Sequence, residues 1–177
     1  MSLVGYKYLK TFQLATVIYD LNVQFCNRYV DKKSRTHDQM VQAGRSGKQN
    51  IAEGYLEKSL KMYIKLAGVS RGSFGELLED YEDFARQNKI QIWPKERAIR
   101  EIREIREIWA KISPDNPFIP SLPYNLEKAV NLLITLLNQE NYLLDRQIAS
   151  LEEKFVREGG WSEKLFKKRL SNRLTKT

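Results

Sequence analysis

The stretch that decides the fold is residues 63–84, YIKLAGVSRGSFGELLEDYEDF. Small, apolar or aromatic residues recur in it at alternating steps of four and three, at Tyr63, Ala67, Ser70, Phe74, Leu77, Tyr81 and Phe84. A stripe with this period lies along one face of an α-helix and packs against neighbouring helices. The stretch therefore predicts a long helix that is one member of a bundle.

The same periodicity predicts two further helices on the N-terminal side. The first spans about residues 6–30. Thr36 and Gln39 have the spacing of a capping box, which predicts that the second helix begins there. Gly54 is expected to end the second helix, because glycine is common just beyond a helix C-terminus.

The C-terminal side predicts a peripheral helix, a connector and a last long helix. The peripheral helix follows Pro94 and carries isoleucines every three residues, at Ile99, Ile102, Ile105 and Ile108. Because each helical residue turns by 100°, a period of three moves the apolar stripe around the helix, so this helix is expected to lie across the others. Residues 113–125 hold four of the five prolines and predict an extended connector. Asn125 is expected to cap the last helix, about residues 126–157, before Gly159 and Gly160 end it.

Together these elements indicate an all-α fold: an antiparallel four-helix bundle with an additional peripheral helix and a C-terminal basic helical tail. We expect residues 1–160 to form the bundle, with the inserted helix and proline-rich connector at 94–124, and residues 161–177 to form the tail. Asn141 interrupts the apolar row of the last helix. A polar residue in such a row can set the register or the oligomeric state.

The charge of the chain indicates an acidic partner. The net charge of +8 over 177 residues is concentrated at the two ends, with residues 1–50 and residues 161–177 each carrying +5. Nucleic acid is the first candidate, and the alternative is that these charges only keep a helical protein soluble. Cys26 is the single cysteine, which excludes an internal disulfide and a cysteine-built metal site. We expect a cytoplasmic protein that has no membrane partner, because no long apolar segment or signal peptide is evident.

The residue sets that catalysis requires are missing. GRSGK at residues 44–48 looks like a phosphate-binding loop, but that motif needs a glycine where Gln42 stands and a hydroxyl residue where Gln49 stands. His37 is the single histidine and has no partner for a catalytic dyad or a metal cluster. The acidic run at residues 75–83 lacks the Glu-x-x-His motif of bundle di-metal sites and is interpreted as a solvated face. We therefore predict no catalytic residue, no metal and no cofactor, hence no enzyme.

Two motifs, QNIAEG at residues 49–54 and SRGSFGEL at residues 70–77, resemble the hallmarks of a known family. It is the family of four-helix-bundle proteins named after those encoded in intervening sequences of bacterial 23S ribosomal RNA genes. The residues that match its SNIAEG-like and ARGSLxEL-like motifs are Asn50, Ile51, Ala52, Glu53, Gly54, Arg71, Gly72, Ser73, Glu76 and Leu77. The resemblance covers about residues 10–90, and residues 141–160 resemble the final helix of a longer subgroup.

This resemblance implies an antiparallel four-helix bundle that assembles as a homopentamer. The accessory protein of diversity-generating retroelements, which binds nucleic acid and a reverse transcriptase, has a similar architecture. Family membership implies no established biochemical activity.

Five polar residues of the two motifs are expected to form a structural network between the second and third helices: Asn50, Glu53, Arg71, Ser73 and Glu76. Arg71 is expected to pair with Glu53 or Glu76 in a partly buried ion pair. The alternative is that these residues form a ligand site.

The resulting hypothesis is a non-enzymatic, oligomeric accessory protein that binds the RNA or DNA backbone through basic surfaces. The candidate phosphate-binding residues are Arg45, Lys48, Lys58, Lys61, Lys65, Lys167, Lys168, Arg169 and Arg173. Phosphate contacts need only a basic surface, so no fixed spacing is required. The alternative is a protein-interaction scaffold that docks a partner protein through its oligomer surfaces and tail, without binding nucleic acid.

Overall fold

The computed structural model of the chain describes residues 5–115 and 118–174. A short 3-10 helix, η1, is followed by seven α-helices in these ranges. Their bounds are η1 Gly5–Tyr8, α1 Lys10–Tyr29, α2 Arg35–Leu56, α3 Leu60–Gln87, α4 Lys95–Glu101, α5 Arg103–Lys111, α6 Leu126–Glu158 and α7 Trp161–Leu174. The predicted all-α bundle is confirmed, and the described residues contain no β-strand.

The four long helices pack around one core. α1 lies against α2, α2 against α3, α3 against α6 and α6 against α1. Each helix contributes fully buried apolar side chains, among them Leu14, Ile51, Phe74 and Leu133. Burial of a side chain of this size contributes about 1.5–3 kcal/mol, so this core is the main source of stability.

Hydrogen bonds between helices fix which ends of the bundle meet. Thr11, at the start of α1, donates to the side chain of Gln147 in the second half of α6 at 2.7 Å. The hydroxyl of Tyr29, at the end of α1, donates to the carbonyl of Tyr124 just before α6 at 3.0 Å. α1 and α6 are therefore antiparallel. The α2–α3 connection and the end of α6 lie at one end of the bundle, and the α1–α2 connection lies at the other.

The start of α2 differs from the prediction. Ser34, rather than Thr36, is the N-cap, and its hydroxyl accepts the backbone N–H of His37 at 3.1 Å. The predicted capping box at Thr36 and Gln39 is therefore wrong. Both serine and threonine are good N-caps, so composition alone did not decide which of the two begins the helix.

Glycines in α2 allow close approach to α3, and the predicted stop at Gly54 is wrong. α2 continues through Gly54 to Leu56. A Cβ atom on Gly54 would lie 2.8 Å from the Tyr63 ring, and one on Gly47 would lie 2.6 Å from the Phe74 ring. These glycines occupy positions where another residue would collide with α3.

The predicted single peripheral helix is two short helices, α4 and α5. They are separated at Ile102, where φ is −101° and ψ is 97°. In an unbroken helix each step of three residues would turn the isoleucine stripe back by about 60°. The break re-aims the chain, so that Ile102, Ile105 and Ile108 are all buried against the bundle. Both helices contact α6.

α6 begins and ends as predicted. The Asn125 side chain accepts the N–H of Lys128 at 2.9 Å, and Gly159 adopts a φ of 72° beyond the last turn. Residues 129–137 of α6 are buried on every side, and Asn131 within them accepts the backbone N–H of Trp93 at 2.7 Å. No helix in the described residues has both the length and the apolar character needed to span a membrane.

Two adjacent residues of α6 have buried side-chain oxygens without a hydrogen-bond partner among the described residues. Asn141 was the predicted interruption of the apolar row, and its side-chain oxygen has no hydrogen-bond partner in the described chain. Glu140 beside it is fully buried, and neither of its carboxyl oxygens has a partner there. Burial raises the pKa of the Glu140 carboxyl well above its ordinary value of 4.5. The structure thus places a carboxyl group whose protonated form is favoured by burial, as well as an amide, inside the bundle.

A buried polar cluster joins three helices around Asn22. The Tyr81 hydroxyl donates to the Asn22 oxygen at 2.7 Å, and the Asn22 amide donates to the Met40 carbonyl at 2.8 Å. Cys26 lies in the same cluster, where burial, with a contribution from Asp80, raises the pKa of its thiol to about 12. The thiol is therefore protonated at neutral pH, as expected for a structural cysteine.

Candidate nucleic-acid interface

The stretch that looks like a phosphate-binding loop is helical throughout. Residues 44–48 lie in the middle of α2, and Gly44 and Gly47 are buried. A Cβ atom on Gly44 would lie 3.1 Å from the Asn22 amide. The glycines therefore serve helix packing and do not wrap a phosphate.

Arg45 and Lys48 on α2 are set apart from the other predicted phosphate-binding residues. Arg45 is exposed, whereas the Lys48 ammonium lies 4.8 Å from the centroid of the Tyr19 ring of α1. Burial raises the pKa of Asp20, and the nearby charge of Lys48 partly offsets that effect. Lys48 is thus engaged with α1, about 12 Å along the helix from the end of α2.

The structure gathers lysines at the α2–α3 end of the bundle. Lys58, Lys61 and Lys65 are exposed there around the start of α3. η1 packs against both α1 and α2, which places Lys7 and Lys10 at the same end. We call these five residues the lysine end. None of them forms an ion pair within the described residues, so their charges are available to an anionic partner.

Sequence reasoning missed two of the five lysines of this surface. Lys7 and Lys10, in the stretch YKYLK at residues 6–10, were assigned only to the first helix. The contact that brings them to α2 is made by Tyr55, whose ring covers Gly5 so closely that a Cβ there would lie 2.8 Å from the ring carbon Cζ. The alternation of aromatic and lysine residues in YKYLK was the available signal.

The four predicted residues of the tail lie on α7. Lys167, Lys168, Arg169 and Arg173 are all exposed. α6 extends eleven residues beyond Gln147 to Glu158, about 16 Å of helix. α7 therefore begins at the same end of the bundle as the lysine end.

Acidic side chains of α3 face a groove between α2 and α3. Glu76 and Asp80 of α3 line a shallow polar groove with Ser46 and Ser73. Burial raises the pKa of Asp80, and the neighbouring Asp83 and Glu76 raise it further. Among the described side chains, no group of three or more His, Cys, Asp and Glu residues is arranged to hold a metal ion. An acidic face repels phosphates, so this groove does not suit a nucleic-acid backbone.

A family model of 23S rRNA-intervening sequence proteins matches residues 7–112, from η1 through α5. The chain belongs to this family. Comparisons with curated proteins and with solved structures give no significant match. The matched region contains both motifs and every residue of the lysine end.

One family motif residue on α2 and one on α3 are linked through Ser46. The Asn50 amide donates to the Ser46 carbonyl at 2.8 Å and to its hydroxyl at 3.1 Å. The Ser46 and Ser73 hydroxyls lie 3.1 Å apart, which joins α2 to α3. Because these bonds stay within the chain, they are consistent with a structural role for Asn50 and Ser73.

Arg71 forms an ion pair with a residue of α6. The predicted pairing with Glu53 or Glu76 is therefore wrong. Its Nε donates to Asp145 at 2.9 Å. The physical reason is that Arg71 and Ser73 are two residues apart on α3 and point about 200° apart around it. Ser73 faces α2, and Arg71 faces α6. The two side chains are 36% and 57% exposed, and an ion pair at such a surface contributes about 1 kcal/mol or less.

Proposed function

We propose that the protein is a non-enzymatic accessory protein that binds the backbone of RNA or DNA at the lysine end. The observation that carries the proposal is that five exposed lysines from η1, α1, the α2–α3 connection and the start of α3 lie at one end of the bundle. None of them forms an ion pair with another described residue. Glu53 and Glu57 are the acidic residues within residues 53–65. They are fewer than the five lysines, so the surface stays net positive. Lysines contact phosphates without a fixed geometry. A cluster of exposed lysines is therefore sufficient for binding to a nucleic-acid backbone.

Self-assembly belongs to the same proposal. The family resemblance implies a homopentamer, similar to that of the retroelement accessory protein, and a ring would display several lysine ends together. Repeated weak contacts then bind one nucleic acid more tightly through avidity. Light scattering tests the assembly: the expected mass is five times the chain mass of 20.8 kDa, and a species of one chain mass contradicts it.

The first experiment titrates the full chain with duplex DNA and with structured RNA across a salt series. Five phosphate contacts predict a slope of about −4 to −5 in a plot of log affinity against log salt on duplex DNA. Replacement of Lys58, Lys61 and Lys65 by Gln is expected to weaken binding at about 50 mM salt and to make the slope less negative by about 2–3.

The matched control replaces Lys32, Lys33 and Lys128 by Gln. These lysines are equally exposed and lie at the α1–α2 end, so the net charge changes by the same amount. Equal losses in the two triple variants would mean that binding follows net charge and not the lysine end. Absence of binding at about 50 mM salt would contradict the proposed function itself.

A protein-interaction scaffold is the second candidate, and one observation favours it. α7 exposes four large apolar side chains by 45–66%: Trp161, Leu165, Phe166 and Leu170. Exposed apolar side chains on a helix suit a protein partner better than a phosphate backbone. Undetectable nucleic-acid binding in the salt series would favour this function.

A further inference from the structure

We propose that the lysine end prefers single-stranded nucleic acid to duplex, with unpaired bases stacked on Tyr8 and Tyr55. This inference rests on the proposed function and names the class of nucleic acid that the site binds. It is carried by two exposed tyrosines that neighbour these lysines along the chain. Tyr8 lies between Lys7 and Lys10 and is 59% exposed, and Tyr55 precedes Lys58 by three residues and is 38% exposed.

Tyr55 is held in place from within the chain. Its ring meets the Tyr63 ring edge to face, with centroids 6.2 Å apart. The backbone of Gly5 lies against the same ring, and a side chain larger than hydrogen there would collide with it. Tyr63 is fixed in turn, because its hydroxyl accepts the Gln147 amide of α6 at 2.8 Å. A ring positioned in this way loses little conformational freedom when a base stacks on its exposed part.

Tyr8 is presented by a backbone that is also fixed. The Gln13 amide of α1 donates to the Lys7 carbonyl at 2.8 Å, which ties η1 to α1. Tyr8 lies three residues from Gly5, about 6 Å along a 3-10 helix, and Gly5 is the residue that Tyr55 covers. The two rings therefore lie at a separation that nearby nucleotides of one strand can span.

Unpaired bases can use these rings, and paired bases cannot. In a duplex the faces of the bases are stacked on one another, so a protein reaches only phosphates, sugars and groove edges. In a single strand the base faces are open to aromatic side chains. Leu56 and Met62 are exposed beside the tyrosines and add apolar surface for a base to cover. The lysines contact phosphates in both forms, so the tyrosines create the preference.

The test measures the affinity of the full chain for one fluorescent pyrimidine strand in three forms. The strand is single, annealed to its complement, or carries abasic sites in place of its bases, and each form is made as DNA and as RNA. We expect the single strand to bind at least about tenfold more tightly than the other two forms. Tyr8→Leu is expected to weaken single-strand binding by about 5- to 140-fold and to leave duplex binding unchanged.

Matched variants separate stacking from folding. Tyr8→Phe keeps the ring and is expected to bind like the parent chain. Tyr124→Leu changes a tyrosine that is more exposed than Tyr8 but lies at the α1–α2 end, and it is expected to have no effect. Tyr55→Leu removes a packed ring, so its binding is compared only at temperatures where its unfolding curve matches that of the parent.

The outcomes distinguish the inference from the function on which it rests. Equal affinity for the three forms of the strand, with a loss in the Lys58, Lys61 and Lys65 variant, overturns base stacking and leaves backbone binding in place. An unchanged single-strand affinity in Tyr8→Leu likewise overturns it. Absence of binding to all three forms overturns the proposed function, and with it this inference.

Discussion

Glu140 occupies a position at which a leucine would make the folded chain more stable. It occupies the step between Leu137 and Leu144 in the apolar row of α6, and it is fully buried without a hydrogen-bond partner in the described chain. A buried polar group without a partner costs about 1–3 kcal/mol. We therefore expect Glu140→Leu to raise the free energy of unfolding at pH 7 by about that amount, as measured by urea denaturation at one fixed protein concentration.

The same residue predicts how stability varies with pH. The pKa of Glu140 is raised in the folded chain by burial alone, from an ordinary value of 4.5. The folded state therefore keeps a proton that the unfolded state has released. This contribution is fully present below about pH 4.5, and it is lost as the pH rises toward the folded pKa, by about 1.4 kcal/mol per pH unit.

Glu140→Gln is expected to remove this pH dependence, because an amide does not titrate. Glu153→Gln, an exposed position of the same helix, serves as the control and is expected to retain the pH dependence of the parent chain. A Glu140→Leu variant that is less stable than the parent at pH 7 would show that the carboxyl has a favourable partner.

At the scale of helices, the α2–α3 contact depends on Gly47. A Cβ atom there would lie 2.6 Å from two carbons of the Phe74 ring, which is fully buried and cannot move away. Overpacking of this kind costs about 1–3 kcal/mol, occasionally more, and it outweighs the roughly 1 kcal/mol that alanine gains in helix propensity. Gly47→Ala is therefore expected to lower the midpoint of urea unfolding.

Two further variants test that explanation. Gly72→Ala in α3 adds a Cβ with nothing within 4 Å, so it is expected to stabilise the chain by about 0.5–1 kcal/mol. In a Phe74→Leu background, Gly47→Ala is expected to cost less, because the smaller side chain leaves room. A cost that is independent of residue 74 would exclude the proposed collision.

A helix whose boundaries and buried face follow from its own residues could be predicted from the sequence. A feature that depends on contacts with other helices could not. The α3 heptad gave the correct buried face at Phe74, Leu77 and Tyr81, because period and burial coincide on one helix. The break at Ile102 was not predicted. It depends on the surface of the bundle, against which isoleucines spaced three residues apart are buried. The sequence of α2 predicts a helix end at Gly54, because a glycine that ends a helix cannot be distinguished by sequence from one that allows close packing.

The candidate site shows the same division across the whole molecule. Lys58, Lys61 and Lys65 could be grouped from sequence, because they are neighbours along the chain. Lys7 joins them only through the packing of η1 on α2, a contact between residues some fifty positions apart that no local pattern encodes. Which of these residues bind phosphate stays a prediction that the salt series tests.

The last prediction concerns the division of the chain into a bundle and a tail. Every residue of α7 from Trp161 to Arg173 is exposed, so removal of the tail takes none of these side chains out of the core. We expect the free energy of unfolding to change by no more than about 0.5 kcal/mol. If Lys167, Lys168, Arg169 and Arg173 contact phosphates, the salt slope on duplex DNA becomes less negative by about 3–4.

Three measurements on this truncated chain determine the role of α7: its stability, the mass of its assembly and the salt slope of its binding to duplex DNA. An unchanged mass and melting temperature with a reduced slope would assign the tail to nucleic acid, as the sequence predicts. A fall in melting temperature of more than about 4 °C, or a fall in the mass of the assembly, would contradict an independent tail. The exposed parts of Trp161 and Phe166 would then be covered by another copy of the chain, because 45% of Trp161 and 66% of Phe166 is exposed in a single copy.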